Sequence, residues 1–275
     1  MEKEAAMTSL SKVETQPPSP ALIYHQQFVP ALFGQWGPRL AAQANLRCGT
    51  AILDVGCGTG VLAAAAADMV GDECVTGVDI NPDMLDVARQ LRTKIKWFQA
   101  PAENLPFADA SYDSVLSQFA LMFFDSRVKG LAEMWRVLRP GGTLLVAVCD
   151  GIHRSPGYAV LAELLNSLFG PEVAESFRAP FSAGDADHLR ELVQEAGIPD
   201  VSIQQQLGTV RFDTIGNMIS TERACVFTLG GILDDVQFTQ LMREADVAFR
   251  DFLTENGTLE FTMPALTIQA QKKVE

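Results

Sequence analysis

Hydrophobic and polar positions along this chain alternate between two rhythms, and from residue 50 onward the alternation is regular. A short run with no polar face comes first, then a turn carrying Gly or Asp, then a longer stretch with apolar residues at helical spacing. Ala51–Val55 and Cys74–Val78 read as strands, followed by helices from about Thr59 to Val70 and from Pro82. The second of these carries Met84, Leu85, Val87, Ala88 and Leu91 on one face, and Pro82 stands where a helix favours proline, at its first position. Ile95–Phe98 and Tyr112–Ser117 predict two more strands, Ser126–Leu138 a helix stopped by Pro140-Gly141-Gly142, and Thr143–Cys149 a strand buried on both faces. Apolar strands without alternation, joined by helices, predict an α/β fold with a mostly parallel sheet covered on both sides.

After Asp150 the rhythm breaks. Residues 151–184 gather Pro156, Gly157, Gly170, Pro171, Pro180 and Gly184 around one apolar helix, Tyr158–Phe169, and read as an insertion over the sheet's carboxyl edge. A helix over Asp185–Ala196, a strand within Val201–Phe212, helices around Thr214–Thr221 and Asp234–Thr254, and a last alternating strand within Leu259–Gln271 complete the chain. The division expected is a disordered tail (1–20), lid helices (21–48), a core (49–150), a lid insertion (151–184) and completion of the core with cap elements (185–275).

Composition narrows the function mainly by exclusion. The 275 residues carry a net charge of −13, and Lys and Arg nowhere form a run. A polyanion is gripped by a basic stripe, so neither nucleic acid nor an anionic membrane surface is an expected partner. No apolar run reaches the roughly 20 residues of a membrane span, and the first residues, with two early glutamates, do not form a secretory leader. The expected location is cytoplasmic. The five cysteines lack a CxxC pair and the three histidines share no ligand spacing, so no metal is expected.

Candidate chemistry begins at LDVGCGTG, Leu53 to Gly60. Asp54, Gly56, Gly58 and Gly60 follow a buried strand and lead into a helix, the setting in which a ligand lies against bare backbone and free helix N–H groups. The dinucleotide fingerprint GxGxxG needs its third glycine at position 61, where this chain has Val61. Asp79, ending the second strand, suits the two hydroxyls of an adenosine ribose; an acid there also caps the next helix, a role Asn81 fills equally well.

The segment PAENLPFADASYDSVLSQFALMFF (Pro101–Phe124) and the turn RVLRPGG complete a set that, with the glycine loop and Asp79, resembles the class I S-adenosylmethionine-dependent methyltransferases. Within them the resemblance is greatest to the group of ubiquinone/menaquinone-biosynthesis methyltransferases and related small-molecule enzymes, and Tyr24–Gly37 resembles their N-terminal lid. It implies a Rossmann-like, mostly parallel seven-stranded sheet with an antiparallel last strand, a helical lid, and S-adenosyl-L-methionine as cofactor. The backbone of Gly56, Gly58 and Gly60 would run beneath the cofactor, with Asp54 in the same loop and Asp79 on the ribose. Ile80 and Met84 would pack on the adenine, Ala102 and Glu103 would border its edge, and Ser117 or Gln118 would take the methionine ammonium through a backbone carbonyl. Phe119 would begin the substrate side and Tyr24 would close over the site. Pro101 departs from the pattern, because many relatives carry an Asp there that accepts from the adenine amino group.

The resemblance implies transfer of a methyl group by in-line displacement to a small, mostly apolar acceptor, by O- or C-methylation. For a base, His153 stands just past the fifth strand and is the first candidate; Tyr24, His25 and Asp150 are the others. Arg154 and Arg178 are candidates to hold an acidic substrate, while Met122, Phe123 and Phe124 read as core. Helix Asp234–Thr254 offers a homodimer surface. A non-catalytic binding or interaction protein on the same fold, and a nucleotide-dependent oxidoreductase, are the competing readings.

Overall fold

A computed structural model describes residues 19–225 and 228–274. The tail expected over residues 1–20 lies almost wholly outside them.

Helix α1 (Pro20–Ile23) runs into a π-helical stretch, Tyr24–Phe33, and then α2 (Trp36–Gln43). The alternating units follow: β1 (Ile52–Val55), α3 (Val61–Val70), β2 (Val75–Asp79), α4 (Pro82–Leu91), β3 (Lys96–Gln99), β4 (Tyr112–Gln118), α5 (Arg127–Val137) and β5 (Leu138–Cys149). Beyond them lie α6 (Pro156–Phe169), α7 (Pro171–Arg178), α8 (Ala186–Glu195), β6 (Ser202–Gln206), β7 (Thr209–Phe212), α9 (Ile215–Ala224), α10 (Asp235–Ala248), β8 (Leu259–Thr262) and β9 (Ala265–Gln271).

Seven strands form one sheet in the order β3-β2-β1-β4-β5-β9-β6. The first five are parallel, and β9 runs antiparallel to both of its neighbours. Strands β1 and β5 are buried because helices cover both faces, which is why their sequences show apolar runs instead of alternation. Successive units step one way from β1 to β3 and the other way from β4 to β5. Such a reversal leaves a crevice outside the carboxyl ends of β1 and β4, the usual ligand position in an open α/β sheet.

Two expected strands divide. Val201–Phe212 splits into β6 and β7, and Leu259–Gln271 into β8 and β9; β7 and β8 leave the main sheet and pair with each other. The two breaks face each other, with the Met263 N–H donating to Gly208 O at 2.9 Å. Gly208 lies so close to Trp36 that a Cβ there would stand 2.3 Å from the indole, and Pro264 has no N–H to give a ladder. The helix expected over Asp234–Thr254 also stops early, at Ala248, with a single tight turn, Arg250–Phe252, after it. No helix among the described residues is long and apolar enough to cross a membrane.

Candidate active site

The carboxyl ends of β1, β2 and β4 open into a cavity of about 290 Å³ that the N-terminal lid and the residues after β5 close over. Its floor is the turn between β1 and α3. Gly56 adopts φ +66° and Gly58 φ +52°, backbone that L side chains rarely take. At Gly56 a Cβ would stand 2.3 Å from the Ala120 side chain, whereas above Gly58 nothing lies within 4 Å. The bare backbone of Gly58 therefore faces open cavity. Gly60 differs: it does not line the cavity, and a Cβ there would meet the Trp97 ring at 2.6 Å. Its role is packing, which corrects the expectation that all three glycines face a ligand.

The start of α3 is not free either. Asp54 Oδ2 accepts from the Ala63 N–H at 2.9 Å, so a buried carboxyl of the protein takes one of the amides of the helix's first turn. Burial pushes the Asp54 carboxyl up to about 7, against the pull of that N–H, and its Oδ1 has no partner. Asp79 ends β2 with both oxygens on backbone donors: Oδ2 accepts from Gly58 N–H and Oδ1 from Asn81 N–H, each at 2.8 Å. It ties the glycine loop to the start of α4, and burial raises its carboxyl above the ordinary range. Asn81, not Asp79, caps α4, through Oδ1 and the Asp83 N–H.

Ile80 and Met84 line the next part of the wall, Ile80 being 62% exposed on a free side. Pro101, Ala102 and Glu103 form the far edge, where Glu103 Oε1 accepts from Ser126 N–H at 3.1 Å. Of the two residues ending β4, Gln118 lines the cavity and Ser117 lies fully buried outside its lining, so Gln118 takes the position expected of either. The Gln118 amide donates to Phe33 O, leaving its buried Oε1 without a partner. Phe119 turns the chain with φ +54°, a strained conformation for a residue with a large side chain. Its ring packs on Phe33 at 5.4 Å and edge-on to Trp36 at 5.5 Å. Tyr24, stacked on Phe33 with centroids 5.4 Å apart, reaches the same cavity from the lid. Burial raises its phenol pKa.

The expected bases fare differently. His153 is exposed, beside Gly151, and does not line the cavity; the short helical turn Ile152–Arg154 carries it outward from the end of β5. Asp150 is buried but committed, accepting from the Gly151 N–H and the Gln205 amide. His25 is not itself in the lining but bonds Oγ1 of Thr59, which is, at 3.0 Å, and burial lowers its pKa. Arg154 and Arg178 also lie elsewhere, Arg178 pairing with Glu163 at 3.0 Å. Met122 and Phe124, expected as core, do belong to it, Met122 buried in the core and Phe124 packed against it, while both also line the cavity; Phe123, expected as core too, is 40% exposed at the cavity wall.

The same lining also includes Phe28, Cys149, Tyr158, Phe177, Phe181, Glu222 and Met263, which form its more aromatic part. Sequence reasoning assigned this part only by region, since its residues come from elements far apart in the chain. Throughout, the described lining holds five carboxylates (Asp54, Asp79, Glu103, Asp125, Glu222) and no Lys, Arg or His.

Comparison with known proteins agrees with this geometry. Residues 53–146 match the family described as "Methyltransferase domain". The "Ubiquinone/menaquinone biosynthesis C-methyltransferase UbiE" of Francisella philomiragia is 30% identical over 194 residues, covering 64% of this chain and 77% of that one. The chain belongs to the class I S-adenosylmethionine-dependent methyltransferases. Another member, "O-methyltransferase cnsE" of Penicillium expansum, is 33% identical over 201 residues, 68% of each chain. The "Demethylmenaquinone methyltransferase" of Deinococcus radiodurans is 38% identical over 115 residues, and there the chain spans about half the relative's length, 48%. Among solved structures, the YcgJ protein of Bacillus subtilis shares the fold of this chain with TM-score 0.59 at 22% identity, over 88% of this chain and all of that one.

The family's cofactor fits the residues of this methyltransferase. Its ligand is rich in donors and positive charge: two ribose hydroxyls, an ammonium, an adenine amino group and a sulfonium. The cavity offers the complement, in the unpartnered Asp54 Oδ1 and Gln118 Oε1, the Asp79 carboxylate and the space above Gly58. A dinucleotide's pyrophosphate would instead bring negative charge among acidic side chains with no cation in the described lining.

Proposed function

We propose that the protein transfers a methyl group from S-adenosylmethionine to a small, largely apolar organic acceptor. The observation that carries this is the single cavity joining two unlike halves, one built of glycine backbone and carboxylates, the other of aromatic rings. The cofactor, when bound, supplies an activated methyl group on a positively charged sulfur. What the protein's residues do is position, exclude water and shape the electrostatic field.

In this reading Asp79 accepts from the ribose hydroxyls while its two backbone donors hold it in place. Ile80 and Met84 take the two faces of the adenine, with Ala102 and Glu103 at its edge. Pro101 brings no acceptor for the adenine amino group, and Glu103 is the carboxylate left on that side. Gln118 and Asp54 face the methionine end, and Phe119 divides the halves. The lid (21–48) and the insertion (151–184) act as covers that keep water from the reacting centre.

An enclosed cavity without a lining cation supports a small-molecule acceptor over nucleic acid. The UbiE and cnsE relatives, named for C- and O-methylation, support a quinone or phenol class. The cytoplasmic location and a homodimer through α10 belong to the same reading and rest on the sequence.

Calorimetric titration with S-adenosylhomocysteine, NAD and NADP tests the proposal. Binding of the first alone is expected, followed by turnover with phenol and quinol acceptors in the presence of S-adenosylmethionine. Binding of a nicotinamide cofactor alone would overturn it.

A further inference from the structure

Glu222 stands in the aromatic half of the cavity and no step described so far uses it. It lies on α9, is 1% exposed, and its Oε2 has no hydrogen-bond partner. The hydroxyl of Tyr158, on α6, is buried beside that carboxyl and interacts with it, so the two side chains form a pair in the cavity wall. The neighbouring Arg223 does not neutralise the carboxyl, because it pairs outward with Asp235 and packs over the Phe238 ring at 4.2 Å.

The local turn is closed by the backbone, although the carboxyl also interacts with the Thr228 side chain. That turn uses the backbone oxygen of Glu222, which accepts from Thr228 Oγ1 at 2.9 Å and Leu229 N–H at 3.2 Å. A buried carboxyl with an oxygen left unpaired destabilises a fold, so one that lines a cavity points to a donor supplied by a ligand. Burial also pushes this carboxyl up to about 7, so near neutral pH it passes between a neutral acid and an accepting carboxylate.

We infer that Glu222 Oε2 accepts a hydrogen bond from a hydroxyl carried on an uncharged, apolar acceptor molecule, with the Tyr158 hydroxyl as that group's second polar contact. The ligand's role as methyl acceptor rests on the function proposed above; the recognition itself rests on the cavity. Phe28, Phe177, Phe181 and Met263 provide the apolar frame. An acidic ligand would add charge to a lining that already holds five carboxylates and no cation. An ammonium would have to leave water for a site shared with the cofactor's positive sulfur. A hydroxyl meets neither obstacle. A site that pairs a hydroxyl with a buried carboxyl also rejects a molecule lacking it more strongly than an apolar pocket rejects a missing methylene.

The test titrates the full chain, saturated with S-adenosylhomocysteine, with three fluorescent probes: naphthol, its methyl ether and naphthylmethylamine. Naphthol is expected to bind more tightly than either of the others. Glu222→Leu should weaken naphthol about tenfold to a hundredfold, the loss of one charge-assisted hydrogen bond, and leave the ether within about twofold. Glu222→Gln, which keeps an acceptor oxygen, should lose a smaller factor, and Tyr158→Phe should weaken naphthol but not the ether. Equal naphthol affinity in Glu222→Leu would overturn the inference, as would a parallel loss of the ether or tighter binding of the amine by the unaltered protein. Circular dichroism and S-adenosylhomocysteine affinity of each variant report folding and the cofactor half separately. If the unaltered protein fails to bind S-adenosylhomocysteine, the proposed function falls, while naphthol titrated against the protein alone still decides the role of Glu222.

Discussion

Replacing Asp79 tests the cofactor half most directly. Its carboxylate holds the Gly58 and Asn81 amides at 2.8 Å each and, as proposed, both ribose hydroxyls. Hydrogen bonds to a charged group contribute about 1.5–3 kcal/mol each. Two ribose bonds would sum to about 3–6 kcal/mol, but bonds sharing one carboxylate are not additive, so the lower end is the better guide. Asp79→Ala should therefore weaken S-adenosylhomocysteine binding by roughly a hundredfold or more. The same substitution leaves two backbone N–H groups without acceptors, destabilising the free protein by on the order of 2 kcal/mol, so binding must be measured well below the melting transition. Asp185→Ala provides the control. Asp185 caps α8 through the His188 N–H, away from the cavity, and its loss should cost about 1 kcal/mol of stability without changing cofactor affinity. Isothermal titration gives the affinities and thermal melts the stabilities. An Asp79→Ala protein that binds S-adenosylhomocysteine within about threefold of the unaltered chain would refute the ribose assignment.

Other expectations follow from the same geometry. Gly58→Ala and Gly60→Ala should part company: the first projects a methyl group into the cavity and should weaken S-adenosylhomocysteine about tenfold, while the second meets Trp97 and should cost about 1–3 kcal/mol of stability with affinity retained. His153→Ala should leave cofactor binding and turnover within about twofold, since the imidazole is exposed and outside the cavity; a loss of turnover above tenfold would restore it as the base. Asp54 and Glu222 are both raised by burial to about 7, so in each the neutral form is favoured by folding. For raised acids the contribution is fully present below the unfolded-state pKa of roughly 4 and is lost as pH rises toward 7. The ligand-free protein should thus melt higher near pH 5 than near pH 7.5, with Glu222→Gln flattening that dependence; an equal slope in the variant would show that Glu222 does not titrate as described.

Much of this protein was legible before any coordinates. Five parallel strands and their helices follow from apolar runs and turn residues within residues 50–150, because each unit is local and its burial on two faces removes alternation from the strands. Asp79 and the glycine turn were legible for the same reason: a strand end, a tight turn and a helix start are consecutive in the chain. Readings failed where the deciding contact was distant. Gly60 looked like its neighbours, yet Trp97 on another strand makes it a packing residue. The start of α3 looked free, yet Asp54 reaches it across the loop. His153 sat at the right point in sequence and the wrong one in space, since one tight turn after β5 swings it outward.

The sequence by itself determined the family, the sheet and the nucleotide-facing loop, all encoded in short stretches whose backbone conformation local residues dictate. Tertiary structure alone brought together the side of the cavity proposed for the acceptor. Phe28, Cys149, Tyr158, Phe177, Glu222 and Met263 belong to six separate segments with no shared spacing, and no local pattern distinguishes Glu222 from an ordinary solvated glutamate on an amphipathic helix. Its chemistry comes from burial, and burial is a property of what the rest of the chain packs around it.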